Sequence, residues 1–529
     1  MASSPKPSLL IGENYGLALH QSMQQLLDEI HKETLNLSHF VNMFYRLMQS
    51  KIDSPIETIW VYSALSFRSR KTTNQDLSNH ILIAEELFQL VSGCSGPCSA
   101  SKSIALLAPV VFQMYKLVFE LLGKDLGAKR MKKAAKEVKS LIGEILGYVS
   151  VCCSNDISKE SDSNLSVSFS DLVSVWMDGN EGLRAFLPLM SDEIRKEISI
   201  GGSTVIYLAG VVICEVFLLK LCLDLRMGNR GVELEKELRS WIVGSITGLQ
   251  SFYFFETLVR MLLEPTLPVT SLLSSEDESF LRTILYDAAI LVEYSFLSPE
   301  RAINVPSNRV TDLAMKRLII THEAIELFRK NGDQKRAIAY TSSFSSSGLC
   351  SQIIQCITSQ VGMDEETSRL KGASPKALIK LLLNLDGQGI RLFDDTISKF
   401  HAKLALDDSK SDYEQSTSKP EGKKADADVL FCIDNKGEEE DHHEDDKEIN
   451  ESMSAAFVAS AQKMRLTENG GRKRKEERNS RKKKKIKLLK HNHSDTSDSD
   501  EERSSSVNDD GSDSDSESEV ENPISDEDV

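Results

Sequence analysis

Cysteine is sparse in this chain and follows no pairing pattern. The nine, Cys94, Cys98, Cys152, Cys153, Cys214, Cys222, Cys350, Cys356 and Cys432, are odd in number and scattered, several within apolar helical patterns. That excludes a disulfide framework and points to reduced core thiols. Cys94 and Cys98 lack a second Cys/His pair at zinc spacing, so no metal site is expected. The body histidines, His20, His31, His39, His80, His322 and His401, share no ligand spacing either. No Ser/His/Asp or Cys/His arrangement stands out, so the chain is read as a non-enzyme without a cofactor. Runs of alternating apolar and polar residues are missing too, which removes β architectures. The opening segment MASSPKPSLLIGENYG lacks a charged n-region followed by a long apolar stretch, so no secretory signal is expected.

Long hydrophobic runs are almost absent as well. The exception is Ser203 to Cys222, which Glu215 and Lys220 interrupt. A charge near the centre of a spanning helix costs about 2.5–3.5 kcal/mol on insertion scales. The run is therefore expected to be a buried core helix, with no membrane partner.

What is present is helix after helix. Residues 1–405 read as an all-α body of amphipathic segments joined by short loops. They fall near Tyr15–Glu33, Leu37–Gln49, Gln75–Val91, Ile104–Leu122, Asp125–Val149, Phe169–Met177, Glu233–Leu249, Phe252–Leu263, Arg309–Lys330, Asp333–Gln360, Pro375–Leu385 and Ile390–Ala405. Ser54-Pro55-Ile56-Glu57 and Ser275-Glu276-Asp277-Glu278 look like capping boxes, the second opening a helix to about Leu297. Pro109 is placed to kink its helix, Ser191 could cap another, and Gly332 suits a helix end. Such helical hairpins bury their faces by stacking, so an irregular HEAT/ARM-like solenoid is expected, with a large irregular bundle as the alternative. No fixed repeat period is visible.

Past residue 405 the composition changes. Residues 406–529 carry 21 basic and 35 acidic residues, which leaves the body near −3 of the total −17. Residues 406–451 form an acidic stretch expected to be disordered, and 452–470 hold a short island of helix propensity. Residues 471–493 are strongly basic. Their cations form two clusters, Arg472, Lys473, Arg474 and Lys475, then Arg481, Lys482, Lys483, Lys484 and Lys485. A charge run like this cannot bury itself, so it is a solvated run without a reader or it is held by an acidic partner. Two tight clusters favour a bipartite nuclear import signal bound by an import receptor. Residues 494–529 are acidic and rich in serine. Ser497, Ser499, Ser506, Ser512, Ser514, Ser516, Ser518 and Ser525 each have Asp or Glu three residues on, the spacing acid-directed kinases prefer.

Two constellations in the body invite a chemical reading. Gly96-Pro97-Cys98-Ser99-Ala100-Ser101-Lys102-Ser103 nearly matches a phosphate-binding loop. Ser101 stands where the glycine belongs and Pro97 removes an N–H, so a plain capped loop is the stronger reading. Lys129, Lys132, Lys133, Lys136 and Lys139 recur at helical steps opposite an apolar face. They form a solvated face or a phosphate-contacting stripe, and without interleaved aromatics a stripe would hold a backbone without reading bases.

These features point to a nuclear, nucleolar helical scaffold in RNA–protein assembly such as ribosome biogenesis. The body would bind protein partners, and the tail would engage RNA, histones or ribosomal proteins. A chromatin factor whose acidic tail holds histones is the alternative.

Overall fold

The computed structural model describes residues 14–32, 36–69, 77–124, 129–154, 163–165, 167–176, 186–199, 204–228, 231–298, 305–361, 373–390 and 402–403. All of them belong to the Met1–Gly422 unit of the chain. Among the described residues every regular element is a helix, apart from one isolated bridge between Asn164 and Thr204.

The organising element is the central helix Val205–Met227, buried on every side. Its apolar side chains recur all round the axis, so no single face can be left to water. The helices Ala100–Ala105, Ala108–Leu122 and Lys129–Ser154 pack against it, as does Phe252–Leu263. Gly210 lets that last neighbour come close, because a Cβ there would lie 2.5 Å from Tyr253 Cβ. The central helix thus reaches back across residues 155–204, which a strict nearest-neighbour stack would not do.

Toward the N-terminus, Leu37–Gln49 packs on Ile56–Ser69, which also meets Leu77–Cys94 and Phe169–Trp176. Trp60 anchors this group. Its ring lies 5.2 Å from Phe169 and 6.1 Å from Phe186, and its indole N–H donates to the Leu106 carbonyl at 3.1 Å. Toward the C-terminus, Ser307–Lys330 packs on Phe252–Leu263 and carries Gln334–Ser346, Gly348–Val361 and Pro375–Gly387. Val232–Leu249 packs on Ser275–Ile290.

Several local expectations are corrected. At the start of Ile56–Ser69 the Ser54 hydroxyl donates to the Met48 and Lys51 carbonyls, and Glu57 accepts from the Val167 N–H instead of closing a capping box through its carboxylate alone. The cap of Ser275–Ile290 is Ser274, which accepts from the Asp277 N–H, one residue earlier than expected. That helix stops at Ile290, and only a 3-10 turn, Ser295–Leu297, follows before residue 298. Pro109 starts the Ala108–Leu122 helix, since its missing N–H costs nothing in a first turn. Gln334–Ser346 and Gly348–Val361 are separate helices, divided at the extended Ser347. Ser191 does cap Asp192–Ser199, accepting from the Ile194 N–H at 3.4 Å. Ile390–Ala405 lies almost wholly outside the described residues.

Candidate nucleic-acid interface

The helix Lys129–Ser154 buries Ala134, Ala135, Val138, Leu141, Ile142, Ile145 and Val149 against its neighbours. With 3.6 residues per turn, that inward face leaves Lys129, Lys132, Lys133 and Lys136 on the opposite sector, and all four are exposed. Lys133 pairs with Glu137 one turn on at 3.6 Å, with 81% of the lysine side chain exposed. A contact that open holds neither partner firmly.

Lys139 behaves differently. It sits on the shoulder of the ridge, with its ammonium 2.8 Å from Asp224 Oδ1 on the central helix. Asp224 is largely buried and also takes Lys220, four residues earlier. The Lys220 ammonium lies 5.5 Å over the Trp241 ring, which stacks on Phe217 at 5.0 Å. Lys139 therefore ties the ridge helix to the core, and the outward ridge consists of four lysines. Asp224 was not singled out from the sequence. Its one visible signal is an acid on the last turn of a mostly apolar helix.

Lys102 is held in a structural role. Its ammonium lies 2.6 Å from Asp53 Oδ1 and also bonds the Ser54 carbonyl, while Ser99 accepts from the Lys102 N–H as a cap. A lysine turned inward in this way has no ammonium left to meet a phosphate, so the near-match to a phosphate loop is a capped corner.

Sequence reading also missed the buried ion clusters. Arg260 bonds Glu197 at 2.5 Å and the Tyr207 hydroxyl at 2.9 Å, and Tyr207 donates to Glu197 at 3.1 Å. Arg309 reaches Glu197 at 3.1 Å and Glu256 at 3.2 Å. Lys316 lies 3.4 Å from Glu256 and also bonds Asp312. Burial pushes the Glu197 carboxyl up, but Arg260 and Arg309 outweigh it and hold the group below the usual carboxylate range. Three cations meet three carboxylates here, so the charges balance and the cluster stitches helices together, with Glu256 Oε2 left buried without a hydrogen bond. A second cluster gathers Arg239, Arg336 and the Tyr340 hydroxyl around Asp287. The only sequence signal for either was charge recurring inside apolar stretches such as FYFFETLVRMLL.

Glu215 lies alone at the middle of the central helix. One carboxyl oxygen accepts from the Leu189 N–H at 3.2 Å, and the other is buried without a hydrogen bond. Burial pushes this acid up to about 8, against the smaller opposing pull of the Leu189 N–H and Arg195. Among the described residues no group of three His, Cys, Asp or Glu is placed to hold a metal ion. The eight cysteines among them are all free thiols.

The two basic clusters between Arg472 and Lys485 and the serines from Ser497 to Ser525 lie outside the described residues. No protein-family model matches the chain, and no curated protein matches it.

Proposed function

We propose that this chain is a non-enzymatic nuclear, nucleolar scaffold for RNA–protein assembly of the kind that builds ribosomes. The observation that carries the reading is the pair of basic clusters, Arg472–Lys475 and Arg481–Lys485, in a chain whose net charge is −17. Two tight cation clusters in an acidic chain favour an acidic reader over a merely solvated run, and an import receptor followed by RNA would supply one. The helical body, as an irregular HEAT/ARM-like solenoid, would offer long surfaces to protein partners. The outward lysines of Lys129–Ser154 would touch phosphate. The acidic tail favours a second reading, in which a chromatin factor holds histones through residues 494–529. Affinity purification with and without nuclease separates the two. Partners lost on RNA digestion, with crosslinked pre-ribosomal RNA, support assembly; histones retained after digestion support the chromatin reading.

A further inference from the structure

We infer that the four-lysine ridge of the Lys129–Ser154 helix is a base-indifferent contact for the phosphodiester backbone of a nucleic-acid duplex. This deepens the RNA-assembly reading and rests on it. Lys129, Lys132, Lys133 and Lys136 cover about 10 Å of one convex helix face at about 1.5 Å rise per residue, all exposed. Arg130 lies about a quarter turn off their sector. The ridge cannot swing freely, because its helix buries Ala134, Val138, Leu141, Ile145 and Val149 against the core, and the Lys139 ammonium lies 2.8 Å from Asp224 just beyond it.

The face offers ammonium charge, which can meet a base only at a guanine edge inside a major groove and otherwise meets phosphate. The helix holds no Asn or Gln, the usual partners of adenine edges. Its one aromatic, Tyr148, is turned inward, with its ring 5.9 Å from Phe88 and its hydroxyl 2.5 Å from Ser95. A single strand draws much of its affinity from stacking its bases on aromatic side chains, which this convex face lacks. A duplex keeps its bases stacked and presents ordered rows of phosphate, so it loses nothing by meeting such a surface.

The test uses the full chain and a variant carrying Lys129→Gln, Lys132→Gln, Lys133→Gln and Lys136→Gln. A duplex RNA, a duplex DNA and an unstructured single strand of equal length are titrated by fluorescence anisotropy over a range of salt. The variant should lose about tenfold or more in affinity for both duplexes, and its log–log salt slope should fall by about one per lysine. Single-strand affinity should stay within about twofold, and duplexes of different base composition should bind alike. Substituting the same four positions with arginine should restore duplex binding, which separates lost charge from lost folding. Duplex affinity unchanged in the glutamine variant overturns the inference while RNA binding through the tail survives. Equal losses for single strands overturn the duplex preference. A parent chain that binds no nucleic acid overturns both this inference and the reading beneath it. Charge-dependent capture of a poly-glutamate probe in preference to duplex would assign the ridge to an acidic protein instead.

Discussion

Glu215 sits among the apolar side chains of Val205–Met227 with one oxygen on the Leu189 N–H and the other unbonded. Its carboxyl titrates at about 8 in the folded chain and near 4.5 once exposed. The folded state therefore holds a proton that the unfolded state gives up between those values. The stabilising contribution is fully present below about pH 4.5, falls as pH rises and levels off above about 8, at most about 1.4 kcal/mol per pH unit. Glu215→Gln keeps the acceptor for Leu189 and removes the titration. Its urea midpoint should change less between pH 5 and pH 8 than that of the parent, with the two proteins closest at the acid end. Parallel pH profiles would place the proton elsewhere. An acid inside an apolar run is visible in the sequence, but its acceptor role is not, because Leu189 lies 26 residues upstream. The same holds for Lys139, whose spacing matches the ridge while its partner Asp224 comes from another helix.

Where two helices cross, side-chain size decides how near they come. At Gly210 an added Cβ would meet the Tyr253 carbonyl carbon at 2.7 Å and the Phe254 nitrogen at 2.8 Å, and neither backbone atom can yield. Gly210→Ala should push Val205–Met227 off Phe252–Leu263 and cost about 1–3 kcal/mol. Gly147, on the ridge helix, faces open space. Gly147→Ala should stabilise by about 0.4–1 kcal/mol through helix propensity and a less free unfolded chain. Thermal melts by circular dichroism should shift in opposite directions, and a common direction would remove this account of the crossing. Leu37–Gln49 and Phe252–Leu263 were legible to the residue, because amphipathic periodicity is a local property. Caps and breaks were less legible because they depend on what the chain meets. Ser54 donates to carbonyls upstream, Ser274 takes the cap expected of its neighbour, and Ser347 separates two helices inside a run of polar, helix-compatible residues. The central helix was recognisable as buried, but which helices bury it depends on packing across distant sequence.

At the scale of the whole chain, charge is concentrated in residues 406–529, which hold 21 basic and 35 acidic residues. If Arg472–Lys475 and Arg481–Lys485 act together for import, replacing both with alanine should abolish nuclear accumulation of a fluorescent fusion, and replacing Lys482–Lys485 alone should reduce it. Undiminished accumulation of the double variant would remove the central support of the proposed function. Residues 472–490 carry a net +10, and residues 495–529 carry fifteen acids against one arginine. They adjoin in sequence, so each meets the other at an effective concentration of order millimolar. Attraction acts within a Debye length of about 8 Å at physiological salt. Phosphorylation between Ser497 and Ser525 would add about −1.5 to −2 per site and strengthen that pairing. On this model the acidic segment would withhold the lysines from RNA, more so when modified. Truncation after Asn492 should tighten RNA binding and steepen its salt dependence, because more phosphates are neutralised by the released cations. Casein-kinase treatment should weaken binding by the full chain and leave the truncated chain unaffected. Equal RNA affinities for the two chains at low and moderate salt would end the competition model. The acidic segment would then be assigned to a basic protein, with histones and ribosomal proteins the first to be tested by pull-down.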